Sequence, residues 1–224
     1  MSSQQEMRSL VRQLMEQGAV LPPALRSALL ARGAEAVGPL LELLREQGLV
    51  AIHAAELLLA LRAPSSLRPL VEALTRTEPG DLLYDTLRQG LEDWGPEVAP
   101  VALEVLDKTG ELWGRTGLLA LLASCGSRDA RIFPLLLEQL RTDPGYATAN
   151  LVHHGDARAL EPLQRALEAY PLEPDVVDLL ALQEVQELAS AILELGGTLG
   201  EAQERKLAEV RALRAQAFVV LEDD

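Results

Sequence analysis

Along the chain, apolar positions recur at helical intervals of three and four, and short breaks rich in Gly, Pro, Ser or Asp separate the runs. In "VAIHAAELLLALR", residues 50–62, Ile52, Leu57, Leu58 and Leu61 stand at helical spacing, which predicts a helix with a buried side. After a break at "APSS" comes "LRPLVEAL", where Leu67, Leu70 and Leu74 mark one face of a second helix. So short a break predicts that the two helices run antiparallel as a pair.

This pair is one copy of a repeated unit. When residues 151–167, "LVHHGDARALEPLQRAL", are set against residues 58–74, Leu151 falls on Leu58, Leu160 on Leu67 and Pro162 on Pro69. Leu163 then falls on Leu70, Ala166 on Ala73 and Leu167 on Leu74. Residues 28–44 align the same way through Val37, Pro39, Leu40 and Leu44. A fourth copy aligns Asp129–Arg131 with Asp156–Arg158, bringing Phe133, Leu136 and Leu140 into the leucine columns with Pro134 one place early. A weaker fifth copy carries Val98, Pro100, Val101 and Val105. The marker prolines Pro39, Pro69, Pro100, Pro134 and Pro162 are spaced 30, 31, 34 and 28 residues apart. Each is expected early in its second helix, where few backbone donors would be bonded in any case. Ser65 and Asp156 are natural N-cap residues at the breaks. One helical pair cannot cover its own apolar face, so stacked neighbours must share a continuous core.

The string Gly155, Asp156, Arg158, Ala159, Pro162, Leu163, Ala166, Leu167 resembles the "G-D-x-R-A-x-x-P-L-x-x-A-L" signature of HEAT repeats, in the short form of bacterial proteins and bilin lyases. The resemblance covers roughly residues 20–170. Tetratricopeptide repeats place a proline after the second helix and ankyrin repeats carry a "TPLH" turn; neither pattern occurs. The copy around Pro100, with its loop "EDWGPEVAP", departs most. The resemblance implies an all-α fold: a right-handed α-solenoid, or α-α superhelix, of about five HEAT-like helical pairs with helical caps.

The array and its N-terminal capping helix are expected over 1–172, and a C-terminal helical hairpin with an acidic tail over 173–224. At the front, Leu10, Val11, Leu14 and Met15 should face inward. At the back, a first helix carries Val176, Val177, Leu180, Val185, Leu188, Ile192 and Leu195 and closes at Gly196–Gly197. Thr198 and Glu201 then read as a capping box, opening a helix to about Phe218 with Leu207, Val210 and Leu213 as its spine. The hairpin closes the last apolar face of the array or serves as a dimerisation element.

Composition narrows the function. Hydrophobic residues make up 48% of the 224 positions but aromatics only 3%, so leucine and alanine dominate and helices are favoured over strands. The net charge of −14 opposes binding to nucleic acid or anionic membranes and favours a protein partner with a basic surface. Neither a leader with an uninterrupted apolar core nor a run of ~20 apolar residues is visible, so a cytoplasmic location is expected.

Candidate chemistry is sparse. A lone Cys125 rules out an intrachain disulfide and reads as a small buried residue. His153 shares its column with Leu30, Ala60 and Cys125, which predicts a core position, whereas the column of His154 shows no theme. His53 lies three repeats away, roughly 25–30 Å at ~9 Å per packed helix layer, far outside a shared metal shell. No catalytic, metal or cofactor-binding residues are therefore assigned.

Residues 78–111 hold nine acids against Arg88 and Lys108. Tyr84, Asp85, Glu92, Asp93, Trp94, Glu97, Glu104 and Trp113 are the candidate partner-binding residues, because an aromatic flanked by acids suits a basic partner. Alternatively, Trp94 plugs a gap in the irregular repeat and Trp113 fills the core. By analogy with HEAT-like arrays, the polar faces of the second helices around Glu42, Glu72, Glu104, Glu138 and Glu161 are further candidates. A second acidic zone, residues 166–204, has nine acids and no basic residue. The expected function is a non-enzymatic interaction scaffold, monomeric or dimeric through the C-terminal hairpin. The alternatives are a HEAT-like enzyme of bilin-lyase or glycosylase type, or a protein that self-assembles through that hairpin. A glycosylase would need a cationic groove.

Overall fold

The computed structural model describes residues 3–110, 112–172 and 179–222, and all of its described regular structure is helical. Contacts divide the chain into two compact units, Met1–Arg128 and Asp129–Asp224. The division falls inside the span expected to be one array and separates the two helices of the fourth predicted pair.

The first unit holds α1 (Ser3–Met15), α2 (Pro23–Leu30), α3 (Ala34–Leu43), α4 (Leu49–Leu61), α5 (Pro64–Leu74), α6 (Leu82–Trp94), α7 (Ala99–Leu106) and α8 (Leu112–Ser124). Its contacts alternate. α2 meets α4, α4 meets α6 and α6 meets α8, while α3 meets α5 and α5 meets α7. First helices thus neighbour first helices and second helices neighbour second helices, with Pro39, Pro69 and Pro100 on successive members of one row. The leucine columns line the core: Leu29, Leu40, Leu57, Leu58, Leu70, Leu74, Leu87, Leu91, Leu106, Leu118 and Leu121 are buried. Within α4, Ala51, Ala54 and Ala55 are small enough to admit neighbours on several sides, and α1, α2, α3, α5 and α6 all pack on it. The run Ala51–Ala55 of α4 is buried throughout, whereas α5 keeps a polar outer face.

Two details differ from expectation. Pro39 and Pro69 are the sixth residues of α3 and α5, inside the helix, so the carbonyls of Glu35 and Ser65 lose their usual amide partners. In α7 and α11 (Leu160–Ala169) the preceding residues wind instead as 3-10 turns, Pro96–Val98 and Ala157–Ala159, which leaves Pro100 and Pro162 close to the helix start. In α1, Met7 and Leu14 form the buried pair one heptad apart and Leu10 and Val11 are half-buried, but Met15 is 58% exposed because it ends the helix on the other side of that stripe.

The second unit holds α9 (Ile132–Thr142), α10 (Pro144–His154), α11, α12 (Leu179–Glu194) and α13 (Glu201–Glu222). α10 packs on α9 and α12, and α13 packs on α11 and α12. Phe133, Leu136, Leu140, Leu151, Leu163, Leu167, Val185, Leu188, Ile192 and Val210 form its core. Gly196, at φ +82°, ends the α12 segment in the left-handed region as a C-cap glycine does. Leu180 is exposed, and Pro174, Val176, Val177 and the side chain of Phe218 lie outside the described residues. The capping box is shifted by two residues: the Gln203 side chain, not that of Glu201, accepts from the Gly200 amide at 2.5 Å.

The two "DAR" copies fold alike. Asp129 Oδ1 accepts from the Arg131 amide and Nε, both at 3.0 Å. Asp156 Oδ1 accepts from the Arg158 amide and Nε at the same distances. The Arg158 guanidinium then lies 4.5 Å from the Phe133 ring centroid.

Candidate functional site

On α6, Tyr84, Leu87, Leu91 and Trp94 recur at three, four and three residues, a helical stripe, and all four are buried. Trp94 is 6% exposed. Arg62, at φ +48° at the end of α4, carries its guanidinium 5.5 Å over the Trp94 ring and donates to the Trp94 carbonyl at 2.6 Å. Tyr84 and Trp94 therefore belong to the core, which removes both as contact anchors. Of the two readings of Trp94, the buried one agrees with the structure.

Trp113 does the opposite. Expected either in the core or as an anchor, it is 56% exposed at the start of α8, beside Leu112 at 71%. The inner face of α8 is taken by Gly114, Gly117, Leu118, Leu121 and Leu122, and a Cβ on Gly114 would lie 2.8 Å from the Thr75 carbonyl. That close approach fixes the first turn and leaves Trp113 outside.

The acids divide into two sets. Glu92 accepts from Arg88 at 2.5 Å and from the Ser124 hydroxyl at 2.6 Å, tying α6 to α8. Glu104 pairs with Arg68. Asp85, Asp93 and Glu97 are exposed, with no ion pair among the described residues. The eight candidates thus do not form one site: two are buried, two are engaged internally and four face outward. On the second helices, Glu138 pairs with Arg141 and Glu161 with Arg165, so with the Glu104–Arg68 pair three of the five acids marking those polar faces are matched by arginine.

Sequence reasoning missed Leu82, 60% exposed. It is the first residue of α6, outside the buried stripe, and its place three residues ahead of Asp85 was the available signal.

His153 is not in the core position expected of it, and His154, for which no place was expected, is. His153 is exposed, its Nδ1 2.8 Å from the Ala149 carbonyl oxygen, whereas His154 is buried and stacks on Phe133 at 6.4 Å between centroids and 22° between planes. The column that suggested a core position for His153 contains the exposed Ala60 and half-buried Leu30, so it marks the rim of the first helices. His53 is buried, Nε2 lying 2.8 Å from the Gly18 carbonyl oxygen. Cys125 is buried, and burial pushes its thiol above the ordinary range. Among the described residues no three His, Cys, Asp or Glu side chains are grouped to hold a metal ion, and no helix is long and apolar enough to cross a membrane.

Compared with known proteins, the chain matches no protein-family model and no curated sequence.

Proposed function

We propose that this chain is a non-enzymatic, cytoplasmic interaction module of HEAT-like repeats, a right-handed solenoid of about five helical pairs that presents an acidic surface to a basic protein partner. The recurrence of proline-marked second helices and the matching "DAR" turns support the repeat reading. One observation carries the functional reading: Asp85, Asp93 and Glu97 are exposed and without an ion pair among the described residues, whereas Glu92 and Glu104 of the same stretch bond to Arg88 and Arg68. Unpaired surface carboxylates add little to stability, but they accelerate and steer encounter with a cationic surface.

The test is affinity capture from the native host across a salt series, with the Asp85→Lys, Asp93→Lys, Glu97→Lys variant as comparison. A specific protein should be retained at low salt, released as salt rises, and lost with the triple variant. Equal capture by the triple variant rejects the acidic surface, and absence of any specific partner rejects the module.

A further inference from the structure

The exposed carboxylates of α6 adjoin an apolar feature that the charge pattern does not account for. Tyr84 of α6 stands against Gly117 of α8, where a Cβ would lie 3.2 Å from the ring, and Glu92 of α6 receives the Ser124 hydroxyl of α8. The contact thus advances eight residues along α6 and seven along α8, so the two helices run parallel and in step. In that register Trp113 stands level with Gly80, just ahead of the first residue of α6. Leu82, Leu112 and Trp113, exposed by 60, 71 and 56%, therefore all lie at the same end of the α6–α8 pair. No aromatic, cationic or hydrogen-bonding partner covers the Trp113 indole among the described residues.

From this end the outward stripe of α6 continues through Leu82, Asp85, Gln89 and Asp93, all exposed, at steps of three, four and four residues. The stripe has no cation. Arg88 is bonded to Glu92, and Arg115 of α8 donates to the Leu106 and Thr109 carbonyls on the α7 side. Of the other cations around α6, Arg62 is engaged with Trp94, Arg45 and Arg76 line a cleft with Asp81 and Leu83, and Lys108 lines one with Arg68 and Val105 on the α5–α7 row.

We infer that the α6–α8 face is a docking strip for a segment of a partner protein whose apolar side chain seats against Trp113, Leu112 and Leu82 and whose lysine or arginine residues then run along Asp85 and Asp93. Charge selects this occupant over a second copy of the chain, because two copies at −14 each would repel across an acid-bearing face. Tryptophan is among the residues that most often anchor a protein contact energetically. The inference rests on the acidic-module reading and adds to it the anchor, its position and the order of features the partner must carry.

The experiment uses the full chain labelled with 5-fluorotryptophan. Its two fluorine resonances are assigned with the Trp113→Phe variant. The probe is a synthetic helical peptide with leucines at one end followed by lysines at intervals of seven or eight residues. Two controls replace its leucines by serine or its lysines by glutamate. The probe should shift the Trp113 resonance and leave that of Trp94 in place. Leu112→Ser with Trp113→Ser, checked for unchanged helicity and melting, should weaken binding by about 30-fold, as should Asp85→Lys with Asp93→Lys. Binding of the lysine probe with a silent Trp113 resonance, or equal binding of its serine control, overturns the anchor and leaves the acidic module standing. Failure of any lysine-bearing probe to bind overturns both. Preferential binding of the glutamate control, or self-association through this face, overturns the assigned occupant.

Discussion

The opposite environments of the two tryptophans predict opposite costs of removing them. Trp94 is buried to all but 6% and lies under the Arg62 guanidinium. A tryptophan side chain covers about 200 Å²; at ~25 cal/mol per Å² its burial is worth up to about 5 kcal/mol. Truncation of such a residue to alanine costs ~3–5 kcal/mol in practice, here with a cation–π contact of about 0.5–1 kcal/mol included. Trp94→Ala should therefore lose about 4 kcal/mol, which at a urea sensitivity of about 2 kcal/mol/M lowers the unfolding midpoint by about 2 M. Trp113→Ala removes a residue that is 56% exposed and should stay within roughly 0.5–1 kcal/mol of the parent. Both tryptophans lie in the Met1–Arg128 unit, so the indole that survives in each variant reports the unfolding of that unit by fluorescence. The Trp113→Ala protein should emit as a buried indole and redden sharply on unfolding, whereas the Trp94→Ala protein should emit as a hydrated indole throughout. Comparable losses in the two variants, or the larger loss at Trp113, would refute the assignment of Trp94 to the core and Trp113 to the surface.

The remaining predictions concern the second unit. Hydrogen bonds from the Arg158 and Arg131 side chains hold Asp156 and Asp129 at about 2, below their ordinary value of 3.8. Carboxyls depressed on folding stabilise the fold above their unfolded value of ~3.9 and lose that contribution as the pH falls through the folded one. Asp129→Asn with Asp156→Asn should accordingly flatten the decline of the urea midpoint between about pH 5 and pH 2; an unchanged acid slope would show that these pairs do not govern it. The histidines should also separate: His154→Ala costs roughly 1–3 kcal/mol by removing a buried ring from Phe133, while His153→Ala is near neutral. The reverse order in thermal melts would return His153 to the core.

The helical class and the buried leucine columns are legible in the sequence because both depend on periodicity. Leu58, Leu70, Leu74, Leu163 and Leu167 recur for the reason that each helix must bury one side, and the structure buries all five. The fate of single aromatics is less legible, since an acid-flanked tryptophan reads the same whether it faces in or out. At Trp94 the answer was nonetheless present, in its spacing from Tyr84, Leu87 and Leu91. At Trp113 it was not: its exposure follows from the tight approach of Gly114 to the Thr75 carbonyl, a contact between residues distant in sequence. The pairing of Glu104 with Arg68 is similarly invisible in the chain. Column averages misplaced His153 because a repeat aligns backbone positions, and the last turn of a first helix is a rim where burial changes from copy to copy.

The order of contacts in the Met1–Arg128 unit has a kinetic consequence. Its substantial helix pairings join elements no more than three places apart along the chain, the longest reaches being α1 to α4 and α5 to α8. Assembly needs no early closure of a long loop, so this unit should collapse rapidly. Its leading hairpins can dock on one another while later ones are still being synthesised.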